Sequence, residues 1–125
     1  MAKWANDLVM DQGLEYLKYH ANNLVACAGQ PTNYAEAIGA NFLGMITLSI
    51  GHLNVSDGVI SGRRLTVSGR MGLLTQVAGL ADHFALIDSV NQVLLYVTEA
   101  ASSQQTYAQN SIDTPDWDIT IADPV

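Results

Sequence analysis

The reading of the fold turns on His83-Phe84-Ala85-Leu86-Ile87-Asp88-Ser89-Val90-Asn91-Gln92-Val93-Leu94-Leu95-Tyr96-Val97-Thr98. Two runs rich in β-branched and aromatic residues flank Ser89 to Gln92. That pattern predicts two strands joined by a loop of about four residues. Both runs carry apolar residues at odd and at even positions, so both strands are expected in the centre of a sheet.

Working outward, strand signals recur on both sides. Arg64-Leu65-Thr66-Val67-Ser68 alternates polar and apolar, as a half-buried strand does. Asp57-Gly58 is a turn pair, followed by Val59, Ile60 and Gly62, and Gly69 and Gly72 punctuate before a short candidate strand from Leu73 to Val77. Met45 to Ile50 is rich in strand formers. Leu24 to Ala28 is an apolar run too short for a helix and is followed by the turn cluster Gly29-Gln30-Pro31-Thr32-Asn33, which predicts a buried strand. Tyr34 to Ile38 reads either as a helical turn or as irregular loop. Downstream, Ala100 to Gln105 is small and polar, as in a loop or an edge. Asp116 to Ile121 alternates cleanly, with Trp117, Ile119 and Ile121 inward and Asp116, Asp118 and Thr120 outward.

The N-terminal segment differs in period. Leu8, Leu14, Leu17, Ala21 and Leu24 recur at the spacing of one helical face, which predicts a helix at about residues 5–22. Asn6 or Asp7 can cap its start, Asp7 and Asp11 suit the positive end of its dipole, and Lys18 and His20 suit the other end. The expected fold is a mainly β, antiparallel sandwich or jelly-roll-like single domain over residues 1–125. It has one N-terminal helix, with strands over about residues 24–121. Leu14, Leu17, Phe84, Leu86, Leu95, Trp117 and Ile119 are the expected core.

Composition narrows the function. The 125 residues hold five Lys+Arg against twelve Asp+Glu, a net charge of −7. Nucleic-acid binding through counterion release and polybasic membrane anchoring both need clustered cations, and neither is expected here. No cationic start with an unbroken apolar core is present, and no apolar run approaches the ~20 residues of a membrane span. A soluble protein made in a reducing compartment is the expectation. Asn54-Val55-Ser56 matches a glycosylation acceptor, but no secretory signal supports it. Charged residues make up 14%, against about 25% in typical soluble domains. With 49% hydrophobic residues, so short a chain has little polar surface with which to cover itself. Burial against other copies is one account, with a trimer slightly preferred over a dimer. A compact Ala- and Gly-rich monomer is the other.

The candidate chemistry is thin. The lone Cys27 rules out an intramolecular disulfide and sits in a run expected to be buried, where thiols are inert. No Gly-x-Ser-x-Gly elbow and no phosphate-binding loop is found. Asp82, His83 and Asp88 come closest to a ligand cluster, but adjacent strand residues point to opposite faces, so Asp82 and His83 are a poor pair for one metal. His20 and His52 lack ligand spacing. Asp116 and Asp118 share a strand face and could bind calcium or act as an acid/base pair. A solvated outer face is the simpler reading. No catalytic residue, metal or cofactor is expected. Arg63, Arg64 and Arg70 lie close in sequence and could form one basic spot that grips carboxylates, or simply make local salt bridges. Trp4, Tyr16 and Tyr19 are candidate contact aromatics, since Trp and Tyr are enriched where interfaces bind tightly. Packing of the helix on the sheet accounts for Tyr16 or Tyr19 equally well.

The order of segments carries a resemblance. An acidic amphipathic helix, Asp7 to Tyr19, leads to Cys27-Ala28-Gly29-Gln30-Pro31-Thr32-Asn33-Tyr34-Ala35-Glu36-Ala37. Asp57-Gly58, Ser61-Gly62-Arg63-Arg64-Leu65-Thr66-Val67 and Ala81-Asp82-His83-Phe84-Ala85-Leu86-Ile87-Asp88 follow. Leu94-Leu95-Tyr96-Val97-Thr98 and Trp117-Asp118-Ile119-Thr120-Ile121-Ala122-Asp123-Pro124 complete it. Over nearly its whole length the chain resembles small structural proteins of tailed bacteriophages and prophages, a group associated with capsid decoration, or cement, proteins. Phe42 to Leu53 is more apolar than the resemblance implies. The resemblance implies a non-enzymatic virion protein, made in the host cytoplasm, that binds the major capsid protein on the head surface. A tail or neck component and a small carbohydrate- or ligand-binding β module are the alternatives.

Overall fold

A computed structural model describes residues 7–58, 60 and 62–121, with the backbone alone for residues 7–10. The protein is mainly β, with two antiparallel sheets and one N-terminal helix, in the sandwich-like class that the strand spacing predicts. The 1–125 chain groups into two compact units, and each is discontinuous in sequence. Unit 1 takes residues 1–20, 49–69 and 115–125, and unit 2 takes 21–48 and 70–114.

Unit 1 is a helix on a three-stranded sheet. Its elements are α1 (Asp7–His20), β3 (Leu53–Asp57), β4 (Arg63–Val67) and β9 (Trp117–Ile121), with strand order β3-β4-β9. Cross-strand rows explain why the sheet has two unlike faces. Leu53, Val67 and Trp117 form one row, and Val55, Leu65 and Ile119 the next. The rows on the other face are Asn54, Thr66 and Asp118, then Ser56, Arg64 and Thr120. The apolar rows are buried at Leu53, Leu65, Val67 and Ile119, and α1 packs on β3 and β4 with Leu14 fully covered. Leu17 and Trp117, expected in the core, are half-buried.

Unit 2 holds β1 (Asn23–Cys27), α2 (Tyr34–Ile38), β2 (Phe42–Thr47), β5 (Arg70–Thr75), β6 (Gly79–Asp88), β7 (Val93–Thr106) and β8 (Ser111–Thr114). The six strands form one curled antiparallel sheet in the order β7-β6-β1-β2-β5-β8. β1 is apolar on both faces, and Leu24, Val25, Ala26 and Cys27 are all fully buried between β2 and β6. On one face α2 closes a core of Val25, Cys27, Ala37, Ala85 and Ile87, ringed by Tyr34, Phe42, Met45, Leu94 and Val97. The segment read as turn or loop is thus a helical turn. Asn33 Oδ1 accepts from Glu36 N at 2.9 Å, and Glu36 Oε1 accepts from Thr32 N and Oγ1 at 2.8 and 2.7 Å. These reciprocal bonds satisfy donors at the helix start that would otherwise be unpaired. β2 meets β5 so closely that a Cβ at Gly44 would stand 2.7 Å from Thr75 Cα and nearer still to the Leu74 carbonyl oxygen.

The β6–β7 hairpin forms as its sequence predicts, with residues 89–92 as the loop. Asp88 is buried and caps it, accepting from Val90 N at 3.0 Å, Asn91 N at 3.2 Å and Asn91 Nδ2 at 2.8 Å. One expectation is corrected. β6 is interior, but β7 is an edge strand, and Leu95 is only half-buried. The register supplies the reason. Leu86 pairs with Tyr96 and Ile87 with Leu94, which leaves Leu95 as an extra, bulged residue. A bulge resets the alternation, so the apolar run reports a shifted register rather than burial on both faces. A second irregularity separates Ala81↔Gln104 from His83↔Glu99 and leaves residues 100–103 opposite Asp82 alone. β8 was not anticipated. It pairs with β5 and sets Ile112 and Thr114 inward.

Candidate interaction surfaces

Asp82 and His83 form a contact on β6. Asp82 Oδ1 lies 2.9 Å from His83 Nδ1 and accepts from Gly29 N at 2.8 Å. Strand alternation alone predicts that the two side chains point apart, and this contact corrects that expectation. His83 and the Gly29 amide hold the Asp82 carboxyl below the usual range, His83 being the larger cause. Gly29 sits at φ 82°, a left-handed conformation that glycine adopts without strain. The arrangement ties β6 to the loop that leads into α2. Cys27 is the cross-strand neighbour of His83 on β1 and is fully buried. Burial first, and the Asp82 charge second, push its thiol up to about 12. Such a thiol carries essentially no thiolate at neutral pH and is not a nucleophile. Among the described residues no group of three or more His, Cys, Asp or Glu is placed to hold a metal ion.

Asp116 and Asp118 do not act as a pair. An Asp116 carboxylate oxygen accepts from Gly69 N, and Asp118 pairs with Arg64 at 3.4 Å. His52 Nδ1 accepts from Ser49 N at 3.0 Å and lies 3.2 Å from Ser49 Oγ, closing the 3-10 turn Ile50–His52.

The three arginines are divided between the two units. Arg63 and Arg64 belong to β4 in unit 1, whereas Arg70 begins β5 in unit 2. Arg63 and Arg64 are neighbours on one strand and serve opposite faces. Arg63 Nε donates to Asp11 on α1 at 2.8 Å and its Nη1 to Asp57 at 2.6 Å, and these two carboxylates raise its already high pKa. Arg64 reaches Ser56 and Asp118 on the polar face. Arg70 Nη1 donates to the Thr47 carbonyl.

The aromatic candidates fare differently. Trp4 lies outside the described residues. Tyr16 and Tyr19 are 52% and 62% exposed on α1. The Tyr16 ring stacks on His20 with centroids 4.0 Å apart and planes at 15°, and His20 Nδ1 donates to the Tyr16 carbonyl at 2.8 Å.

Sequence reasoning passed over several exposed apolar side chains. Met71, Leu74, Val77, Leu80 and Tyr107 are 82%, 48%, 46%, 47% and 56% exposed, all in unit 2. The signal that could have found them is charge. Residues 71–81 and 100–112 contain no Asp, Glu, Lys or Arg. Comparison with protein-family models, curated proteins and solved structures returned no match in any of the three.

Proposed function

We propose that this chain is a non-enzymatic structural protein of a tailed-phage virion, a decoration protein that binds the assembled head and stabilises it. The observation that carries the reading is how the surface is divided. Asp82, Asp116, Asp118, Arg63 and Arg64 each hold a backbone amide or an ion pair within the fold. The exposed positions include thirteen large apolar or aromatic side chains among the described residues. Where such side chains lie together in one patch, they serve contact with other proteins. The segment order of the phage structural group supports the same reading. A ligand that binds the assembled shell and not its free subunits stabilises the shell by mass action, and many copies add avidity. Quantitative mass spectrometry of purified virions tests this. Hundreds of copies, lost together with a drop in head melting temperature, are expected. A handful of copies would place the chain in the tail or neck, and none would end the proposal.

The stacked Tyr16–His20 pair with exposed Tyr19 favours a second reading, a carbohydrate-binding β module, because aromatic faces are platforms for sugar rings. Saturable glycan-array binding that is lost in Tyr16→Ala would support it.

A further inference from the structure

One end of the six-stranded sheet is built as a contact surface. The β5–β6 connection, residues 76–78, and the β7–β8 turn, residues 107–110, are tied to each other by buried threonines. Thr106 Oγ1 lies 2.8 Å from the Val77 carbonyl oxygen and 3.0 Å from that of Gly79. Thr75 Oγ1 lies 2.7 Å from the Tyr107 carbonyl oxygen and 2.9 Å from that of Asn110. Backbone bonds from Gln109 N to Thr75 O and from Thr75 N to Asn110 O, both 2.8 Å, complete the clamp. Thr75 and Thr106 are 0% and 1% exposed, while Leu74, Val77, Leu80 and Tyr107 beside them are each about half exposed. Gln76, Gln105, Gln109 and Asn110 are exposed around them. The result is an apolar centre on fixed backbone with a neutral amide rim, the composition of a protein contact. Pre-organised loops lose little freedom on binding.

We propose that copies of this chain associate through this surface, centred on Leu74, Val77, Leu80 and Tyr107. Charge identifies the occupant. Two copies carrying −7 each repel, and like charges brought together at an interface are costly. The segments that build this surface, 71–81 and 100–112, are free of charge of either sign, and the bordering Asp113 holds its carboxylate on Gly72 N, so two identical copies bring few like charges together here. An oppositely charged partner would find nothing here to attract it. A standard interface covers roughly 800 Å² per partner, about a ninth of the 7003 Å² that the chain exposes.

Light scattering on the purified chain at several concentrations and salt levels is the test. The expected wild-type mass is at least twice 13.4 kDa, with association unweakened by salt because apolar burial is not screened. Val77→Asp/Tyr107→Asp is expected to return the mass to one copy with an unchanged far-UV spectrum. A monomeric wild type, or a folded double variant that keeps its oligomer, overturns the proposal. Should that variant fail to fold, Tyr107→Cys with a short bis-maleimide replaces it, the buried Cys27 being shielded from reagent. Copies should cross-link at Tyr107→Cys and not at Ile60→Cys, a fully exposed unit 1 position. Equal cross-linking at the two positions overturns the proposal. The inference stands apart from shell binding. A monomer that still occupies heads would sink only this surface, and an oligomer that ignores heads would sink only the functional proposal.

Discussion

The two units reach order by different means. Unit 1 holds eleven of the seventeen charged residues in 52 positions, whereas unit 2 holds six in 73. The Arg63 and Arg64 ion pairs, to Asp11, Asp57 and Asp118, all lie within unit 1. Unit 2 satisfies its backbone with short side chains instead: Thr75, Thr106, Asp88, Asp113 and Asn33 bond to main-chain groups within reach. Hydrogen bonds of short, pre-placed side chains are little affected by salt, whereas ion pairs are screened. The unit with few ion pairs is also the one that exposes nine of the thirteen large apolar side chains. The polar outer rows of β3, β4 and β9 suit water.

Three experiments press on that contrast. The largest effects come from packing and should be of comparable kind in both units. Leu65→Ala empties a fully buried site in unit 1 and should cost roughly 2–5 kcal/mol. Gly44→Ala drives a methyl group into β5 in unit 2 and should cost about 1–3 kcal/mol. Trp117 lies on β9 in unit 1. The chain passes between the units four times, so neither unit is one continuous segment. Tryptophan fluorescence should therefore report the Gly44→Ala loss at the same urea midpoint as far-UV circular dichroism. Separate midpoints would show that the units unfold independently.

A smaller effect should separate the units by salt. In a double-mutant cycle on Asp11→Asn and Arg63→Gln, the coupling should be favourable at low ionic strength and shrink as salt is raised. A Thr75→Val variant in unit 2 should lose stability by the same amount at both salt levels. A salt-independent cycle would mean that the Arg63 pair acts through packing of its stem.

The smallest effect is on acid stability. The Asp82 carboxyl titrates below its unfolded value near 4. Its contribution is fully present above that value and is lost as pH falls through the lower folded value. Asp82→Asn should remove this dependence, so the urea midpoint of the variant should fall less steeply in acid than that of the wild type. Parallel curves would show that Asp82 is not the group responsible.

Much of this fold was legible because period and turn chemistry agree with tertiary need. The leucine spacing predicts a helix at about residues 5–22 and α1 forms over Asp7–His20, with Leu24 of that spacing on β1 instead; the apolar run Leu24 to Ala28 gives β1, and the row Trp117, Ile119, Ile121 gives β9. The failures have a common source in the partner strand. Nothing local to Leu95 says that it will be bulged, because a bulge is a relation between two strands. β8 was illegible because Ser111 to Thr114 has a single hydrophobe, Ile112, and takes its identity from pairing with β5. The division of the arginines between two sheets was hidden too, because only Ser68 and Gly69 separate β4 from β5. Across those two residues the chain leaves one sheet and enters the other.

The position of Cys27 makes the chain its own clock. A thiol reagent can reach that sulfur only when the core beneath α2 opens, because Cys27 is fully buried there with Val25, Ala37, Ala85 and Ile87. Where reclosing outpaces modification, the labelling rate is the intrinsic thiol rate scaled by the fraction of time that core is open. A single natural atom thus measures the breathing of the covered face of the sheet without any engineered probe. The same measurement on free protein and on protein bound in a particle would give, from the ratio of two rates, the free energy by which binding changes that opening.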